Sequence, residues 1–201
     1  MKKPIIRLAR ENDAADILKI YEPYVKETAI TFECETPSLT EFTNRVKEIS
    51  CDYPYIVSAL DKKIIGYAYA HKQMEREAYQ WNAELSVYVD MRYFRLGVGK
   101  ALYGAVIEIL RIQNVRNVYG GVTLPNENSE NLHVYFGFTI LGTYHNTGFK
   151  LGGWHDVTWF EKTIGDYDSK PKPVLSIQEI DKTVITKILN RNAESLHCEL
   201  A

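Results

Sequence analysis

Gly97 and Gly99, parted by Val98, sit where a strand gives way to a helix. Before them, Glu84-Leu85-Ser86-Val87-Tyr88-Val89-Asp90 alternates and is rich in β-branched and aromatic residues, which predicts a strand. After them, Val98, Leu102, Val106, Ile109 and Leu110 recur at three- and four-residue steps, the pattern of an amphipathic helix. The first turn of a helix leaves backbone N–H groups unpaired and carries partial positive charge. Glycines let a bulky anion approach those groups, and Arg92, Arg95 and Lys100 add fixed positive charge. The chemistry this predicts is the binding of a pyrophosphate.

Spacing separates the phosphate-binding turns from one another. A dinucleotide fold requires G-x-G-x-x-G, but the third residue after Gly99 is Leu102. A P-loop requires G-x-x-x-x-G-K-[ST], but position 94 is Phe and position 101 is Ala. An ordinary glycine-softened turn also fits the glycines taken alone. What remains, Arg95-Leu96-Gly97-Val98-Gly99-Lys100, resembles the R-x-x-G-x-G/A signature of the GNAT N-acetyltransferases, with Phe94 where that family usually has Gln or Arg.

Longer stretches narrow the resemblance. Ala78-Tyr79-x-Trp81-x-Ala83-Glu84-x-x-Val87-Tyr88-Val89, Leu124-Pro125-Asn126-x-x-Ser129 and Leu132-His133 with Gly137-Phe138 are similar to the phosphinothricin acetyltransferase branch. That branch includes enzymes acting on methionine sulfoximine and methionine sulfone. The block Gly148-Phe149-Lys150-x-Gly152-Gly153-Trp154-His155-Asp156-Val157 is the most specific part, and the likeness runs from about Ile5 to Ile180. It implies an α/β GNAT acyl-CoA N-acyltransferase fold: a mixed, mostly antiparallel sheet with helices on both faces. It also implies acetyl-CoA as cosubstrate, a small amino-acid-like amine as the other substrate, and a homodimer.

Roles follow residue by residue from that resemblance. Glu84 becomes the general base of direct acetyl transfer, although composition alone reads it as a solvated strand-end carboxylate. Backbone groups of Val87, Tyr88 and Val89 would pair with the pantetheine arm, and Asn126 would bond its amide. The turn from Arg95 through Leu96, Gly97, Val98 and Gly99 to Lys100 would hold the pyrophosphate. His133 stands where many GNAT enzymes keep a tyrosine that protonates the leaving thiolate; a packing histidine is the plain alternative, and Tyr135 is a second candidate donor. Phe32, Met74, Glu75, Arg76 and Lys150 fall on loops that select the amine. Arg76 suits an acidic group, whereas Met74 replaces a residue that is often basic in those relatives. A protein or peptide N-acetyltransferase, or a non-catalytic acyl-CoA-binding protein, would share the fold. The aromatic segments at Tyr79–Trp81 and Trp154 point instead to a small enclosed site.

The elements that must position these groups run in the order β-α-α-β-β-β-α-β-α-β-β, one domain over 1–165. Strands are expected at Ile5–Ala9, Tyr55–Leu60, Ile64–Ala70, Arg116–Thr123, Phe138–Leu141 and Val157–Glu161. Helices are expected after Asn12-Asp13, from Ser38 with Leu39, Phe42, Val46 and Ile49 buried, and over Ser129–Phe136. Pro23 should kink or end the first of these. Gly148 and Gly152-Gly153 read as a loop. Residues 166–201 form a polar linker, then an amphipathic helix from about Gln178 to Glu194 that needs a surface, on the domain or a second subunit. With 24 Lys+Arg against 26 Asp+Glu the chain is near neutral, which argues against a nucleic-acid partner. The apolar runs are too short to span a bilayer, and the N-terminus lacks a secretion signal. Cys34, Cys51 and Cys198 have no metal spacing and read as reduced packing thiols of a cytoplasmic protein, and the histidines show no ligand pattern, so no metal is expected.

Overall fold

The computed structural model describes residues 3–196. In chain order the elements are β1 (Ile5–Leu8), α1 (Ala14–Glu27), α2 (Leu39–Asp52), β2 (Tyr55–Leu60), β3 (Lys63–Lys72) and β4 (Asn82–Val89). They continue with α3 (Val98–Ile112), β5 (Asn117–Thr123), α4 (Glu127–Tyr135), β6 (Thr139–Lys150), β7 (Gly153–Thr163) and α5 (Lys182–Glu194). The strands make one sheet, ordered β1-β2-β3-β4-β5-β7-β6. Every neighbouring pair is antiparallel except β4 and β5, which run parallel across the α3 crossover.

Strand alternation divides the sheet's side chains between two layers. On one face Ile56, Ile65, Ala68, Ala83 and Leu85 pack under Leu102, Val106 and Ile109 of α3. On the other, Tyr55, Val57 and Tyr67 meet Ile17, Tyr21 and Tyr24 of α1 and Phe42 and Val46 of α2. Rings stack in this second layer: Tyr55 on Tyr69 at 4.9 Å and Tyr67 on Tyr88 at 5.2 Å between centroids. Each such buried side chain contributes about 1.5–3 kcal/mol relative to exposure. The predicted helix face of Val98, Leu102, Val106, Ile109 and Leu110 is buried throughout.

Several local expectations need correction. Helix α1 runs through Pro23 to Glu27, because Tyr21, Tyr24 and Val25 on either side of the missing N–H are held in the core. Asp13 does not cap α1 with its side chain; it accepts from Arg7 at 2.6 and 2.8 Å and from the Arg10 amide. Helix α2 opens at Ser38 as expected, where Ser38 and Glu41 form a capping box, but Leu39 faces solvent while Phe42 and Val46 are buried and Ile49 packs partly against the core. Strands β6 and β7 are far longer than the sequence suggests. They meet in a tight turn at Leu151-Gly152, both at positive φ, so Gly148 lies inside a strand and not in a loop.

The tail is part of the domain's own core. Ile177 and Ile180 open it, Asp181 caps α5 by accepting from the Thr183 amide, and Ile185, Ile188, Leu189 and Leu196 bury against the α3 layer. The single helix expected from Gln178 is thus a short 3-10 turn at Ile177–Glu179 followed by α5. Arg191 and Asn192 both bind Glu108 of α3. Cys34 and Cys51 are free and exposed, not packed, and Cys198 lies outside the described residues. Among the described residues no helix is long and apolar enough to cross a membrane.

Candidate active site

The phosphate turn has the geometry its glycines predict. Gly97, the residue before α3, has φ of 79°, the left-handed region that glycine enters at little cost. Arg95 takes the same region at φ 65°. Val98 is buried and pins the first turn of α3 to the sheet. In front of the turn lies a groove of about 800 Å³, bounded by Arg95, Gly97, Gly99 and Lys100 on one wall and by Asn126, Ser129 and Tyr135 on the other. Lys100 Nζ sits 3.8 Å from the centre of the Tyr135 ring, spanning the groove mouth. Leu96 instead joins the core, and Arg92 is spent on Asp90, at 2.9 and 2.6 Å. Of the expected cations, Arg95 and Lys100 remain for the groove.

The groove continues into a gap in the sheet. β4 pairs with β5 only from Asn82 to Glu84, and beyond Glu84 the strands part. The Asp90 amide donates to Ile65 on β3 at 2.9 Å, so alternation turns the backbone groups of Val87 and Val89 toward the open edge. Tyr88 does not join them: its backbone faces β3, and its ring packs edge-on against Tyr21 and Tyr24. Val89 is already engaged, its carbonyl accepting from the Tyr24 hydroxyl at 2.6 Å. Val87 is left to pair with an incoming extended arm. Asn126 lines the same groove while its Oδ1 caps α4 by accepting from the Ser129 amide at 3.2 Å.

Glu84 occupies the last paired rung before the strands part, opposite His71 on β3 and Tyr119 on β5. Burial raises its carboxyl pKa above the ordinary value, and the nearby His71 imidazole pulls it partly back. Tyr69, two residues before His71 on the same face, has a phenol raised chiefly by burial and hydrogen-bonded to Ser86. A half-buried carboxylate with an elevated pKa, at the head of a cofactor-sized groove, is suited to accept a proton from an ammonium.

Other expected residues do different work. His133 is buried under α4 among Tyr103, Phe138 and Phe160, and its Nε2 lies against Gly120. Its Nδ1 is 2.7 Å from the Ser129 carbonyl, which only accepts, so Nδ1 carries the proton. Burial lowers its pKa, and the neutral ring's Nε2 then accepts from the Tyr103 hydroxyl at 2.9 Å. Both nitrogens are occupied inside the core, so a proton donor to the groove is not what this geometry makes of His133. Lys150 is also buried, its ammonium donating to the Thr31 carbonyl at 2.7 Å and reaching the Tyr24 carbonyl at 3.5 Å, not a substrate. It ties the β6–β7 hairpin to the loop after α1. Phe32 on that loop lays its ring on Gly148 and faces His155, with ring centres 6.4 Å apart. Met74, Glu75 and Arg76 lie on the exposed loop that follows His71 and Lys72, with Arg76 leading the turn at Glu77–Tyr79. Sequence reasoning missed Tyr24, Tyr69 and His71; the alternation of β3 against β4 was the one signal that could have paired His71 with Glu84.

A parallel pair of strands opened beside a glycine turn, with a half-buried carboxylate at the last paired rung, is the geometry of a GNAT acyltransferase site. The model of the GNAT acetyltransferase domain matches residues 6–159, and the chain belongs to that family. The phosphinothricin N-acetyltransferase of Streptomyces viridochromogenes is 32% identical over 180 residues, 89% of this chain and 98% of that one. The L-methionine sulfoximine/L-methionine sulfone acetyltransferase of Salmonella typhimurium is 27% identical over 81% of this chain and 95% of its own length. The phosphinothricin acetyltransferase of Sinorhizobium meliloti, solved in complex with acetyl-CoA, superposes with a TM-score of 0.82 at 29% identity, covering 89% of this chain and 98% of that one. The protein is an N-acetyltransferase that uses acetyl-CoA, and the left-handed Gly97 and the open edge at Val87 fit that cosubstrate.

Proposed function

We propose that the protein acetylates the amine of a small amino-acid-like substrate of the phosphinothricin, methionine sulfoximine or methionine sulfone kind, by direct transfer with Glu84 as general base. The observation that carries this reading is the place of Glu84: the last paired rung of β4, just where the strands part. Bound acetyl-CoA supplies the thioester carbonyl that is transferred. The first turn of α3, with Arg95 and Lys100, binds the pyrophosphate, and the Val87 backbone holds the pantetheine arm in line with β4. Glu84 takes the proton from the substrate ammonium, directly or through a water, and frees the nitrogen lone pair for attack. His133, neutral and held on both sides in the core beneath α4, takes no part, and the leaving thiolate draws its proton from solvent.

A small amine fits better than a peptide. The β6–β7 hairpin is locked onto the Thr31–Phe32 loop by Lys150 and Gly148, which walls off the end of the cleft that a chain would cross. Ile140, Leu141 and Tyr144, exposed on the edge strand β6, support a homodimer; sedimentation as a monomer at micromolar concentration would end that part of the reading. Free Cys34 and Cys51 accord with a cytoplasmic enzyme.

The test is thiol release from acetyl-CoA with phosphinothricin, methionine sulfoximine, methionine sulfone and short peptides. Amino-acid-like amines are expected to turn over and peptides not. Glu84→Gln should lower kcat by roughly 10²- to 10⁴-fold at neutral pH with little change in the acetyl-CoA KM. Undiminished turnover in that variant would remove Glu84 from the role of base.

A further inference from the structure

A second guanidinium, not the one expected at Arg76, stands on the amine side of the cleft. Arg45 lies on the sheet-facing side of α2, between Phe42 and Val46, with its guanidinium 5.7 Å from the centre of the Phe42 ring. Its Nη1 is 2.7 Å from Oε1 of Glu33, on the loop that Lys150 and Phe32 fasten to the β6–β7 hairpin. Glu33 engages Arg45 through Oε1 alone, and Thr36 Oγ1 in the same loop is buried with no hydrogen-bond partner, a hydroxyl able to donate to an incoming oxyanion. Buried polar atoms without partners are rare in finished structures and call for an explanation. A guanidinium has five N–H donors in a planar fork, more than a single carboxylate oxygen can use.

What connects this pair to the chemistry is Tyr69. Its phenol, raised chiefly by burial, lies within electrostatic reach of Arg45, Glu33 and Glu84 together. Tyr21, whose hydroxyl is 2.7 Å from Thr31 Oγ1, feels the same Glu33 and Arg45. One side of the sheet therefore brings Glu84 of β4, the Tyr69 phenol of β3 and the Arg45 guanidinium of the overlying α2 together beside the Thr31–Glu33 loop. We propose that Arg45, held in plane by Glu33, reads an oxyanion of the amine substrate while its nitrogen lies at Glu84, with Tyr69 between them. This inference rests on the amine-acetyltransferase reading and adds the residue that selects acidic amines. A guanidinium fork matches a carboxylate or phosphinate in two parallel hydrogen bonds, which the exposed loop at Arg76 has no partner to orient.

The experiment measures steady-state thiol release by the full chain with three amines. Phosphinothricin carries both an α-carboxylate and a side-chain oxyanion, methionine sulfone carries the α-carboxylate alone, and the decarboxylated analogue of methionine sulfone carries neither. Arg45→Gln is expected to raise KM for the oxyanion-bearing amines by roughly 10- to 100-fold, with the amine that carries no oxyanion and acetyl-CoA unaffected. Loss for both acids assigns the α-carboxylate to Arg45, and loss for phosphinothricin alone assigns the side-chain group. Arg45→Lys should recover part of the effect, and Glu33→Gln should give a smaller rise of the same pattern. If Arg45→Gln keeps the wild-type preference for acidic amines, or weakens all three alike, the assignment is overturned while the function stands. A wild-type enzyme that releases no thiol with any amine would sink the function itself. Calorimetry with phosphinothricin alone still reads Arg45 directly in that event: heat in the wild type and none in Arg45→Gln supports it, and equal heat, or none in either, overturns it.

Discussion

From Val87 to Lys100 the cleft is lined by backbone: an open strand edge, then a helix's first turn bared by Gly97 and Gly99. Around Glu84 the groups gathered are side chains whose elements are far apart in sequence, with Thr31 and Glu33 on a loop, Arg45 on α2, Tyr69 on β3, and Lys150 fastening a hairpin to that loop. In the proposed reading, the half that takes the coenzyme is set by the path of one continuous strand–turn–helix. The amine half depends on four elements being packed in register. A backbone site changes little when surface side chains change, whereas a side-chain site can be retuned one residue at a time. This division explains how one scaffold keeps its acyl donor and varies its acceptor.

The sharpest way to break the comparison is at Gly148. A Cβ there would fall 2.2 Å from the Phe32 ring, so the loop over the amine end must shift. Overpacking of this kind costs about 1–3 kcal/mol, or roughly 5- to 150-fold in an equilibrium. Gly148→Ala should therefore raise the amine KM strongly while leaving the acetyl-CoA KM near wild type. Equal changes in both constants would show that the two halves are not separable.

The mirror substitution is Gly97→Ala. Space is not the obstacle, since the nearest atom to an added Cβ is Leu196 Cδ2 at 4.0 Å. The cost is conformational, because φ of 79° disfavours an L side chain by about 1–2 kcal/mol. The acetyl-CoA KM should rise roughly 5- to 30-fold with the amine KM unchanged, measured by varying each substrate at saturation of the other. A normal acetyl-CoA KM would mean the turn does not bind the pyrophosphate.

The same division governs what could be read before the structure. The glycine turn, the β4 strand and the α3 face were legible because the residues that make them are adjacent or helically spaced. The order of strands and helices was legible for the same reason, as was the start of α2 at Ser38. Gly148 was misread as loop because nothing local shows that Phe32 will pack on it. Lys150 was given to the substrate because its real partners, the carbonyls of Tyr24 and Thr31, lie on an element at the other end of the chain. His133 was placed by its position in a motif, yet its neighbours Tyr103, Gly120 and Phe160 come from α3, β5 and β7. Arg45 and Glu33 carried no motif at all, and only tertiary packing brings them beside Tyr69.

His71 offers the finest test, because it touches the boundary between the halves without contributing to either binding site. It stands across from Glu84 in the β3–β4 register, and its Nδ1–H donates to the Lys72 carbonyl at 2.8 Å. Glu84 is raised first by burial, which penalises its charged form, and is lowered in part by the His71 imidazole. If Glu84 is the base we propose, it acts only when ionised, so activity falls as pH drops through this raised value. The acid limb of the kcat/KM profile should therefore lie above the ordinary carboxylate range of about 4.3. His71→Gln removes the lowering influence and leaves burial unopposed, so the acid limb should move to still higher pH, with the plateau rate and the acetyl-CoA KM unchanged. A limb that moved to lower pH would contradict the coupling, and one that did not move would show that His71 leaves the proton affinity of Glu84 untouched. Repeating the profile at high salt helps separate the contributions, since salt weakens the cross-strand charge coupling in part but leaves the burial penalty unchanged.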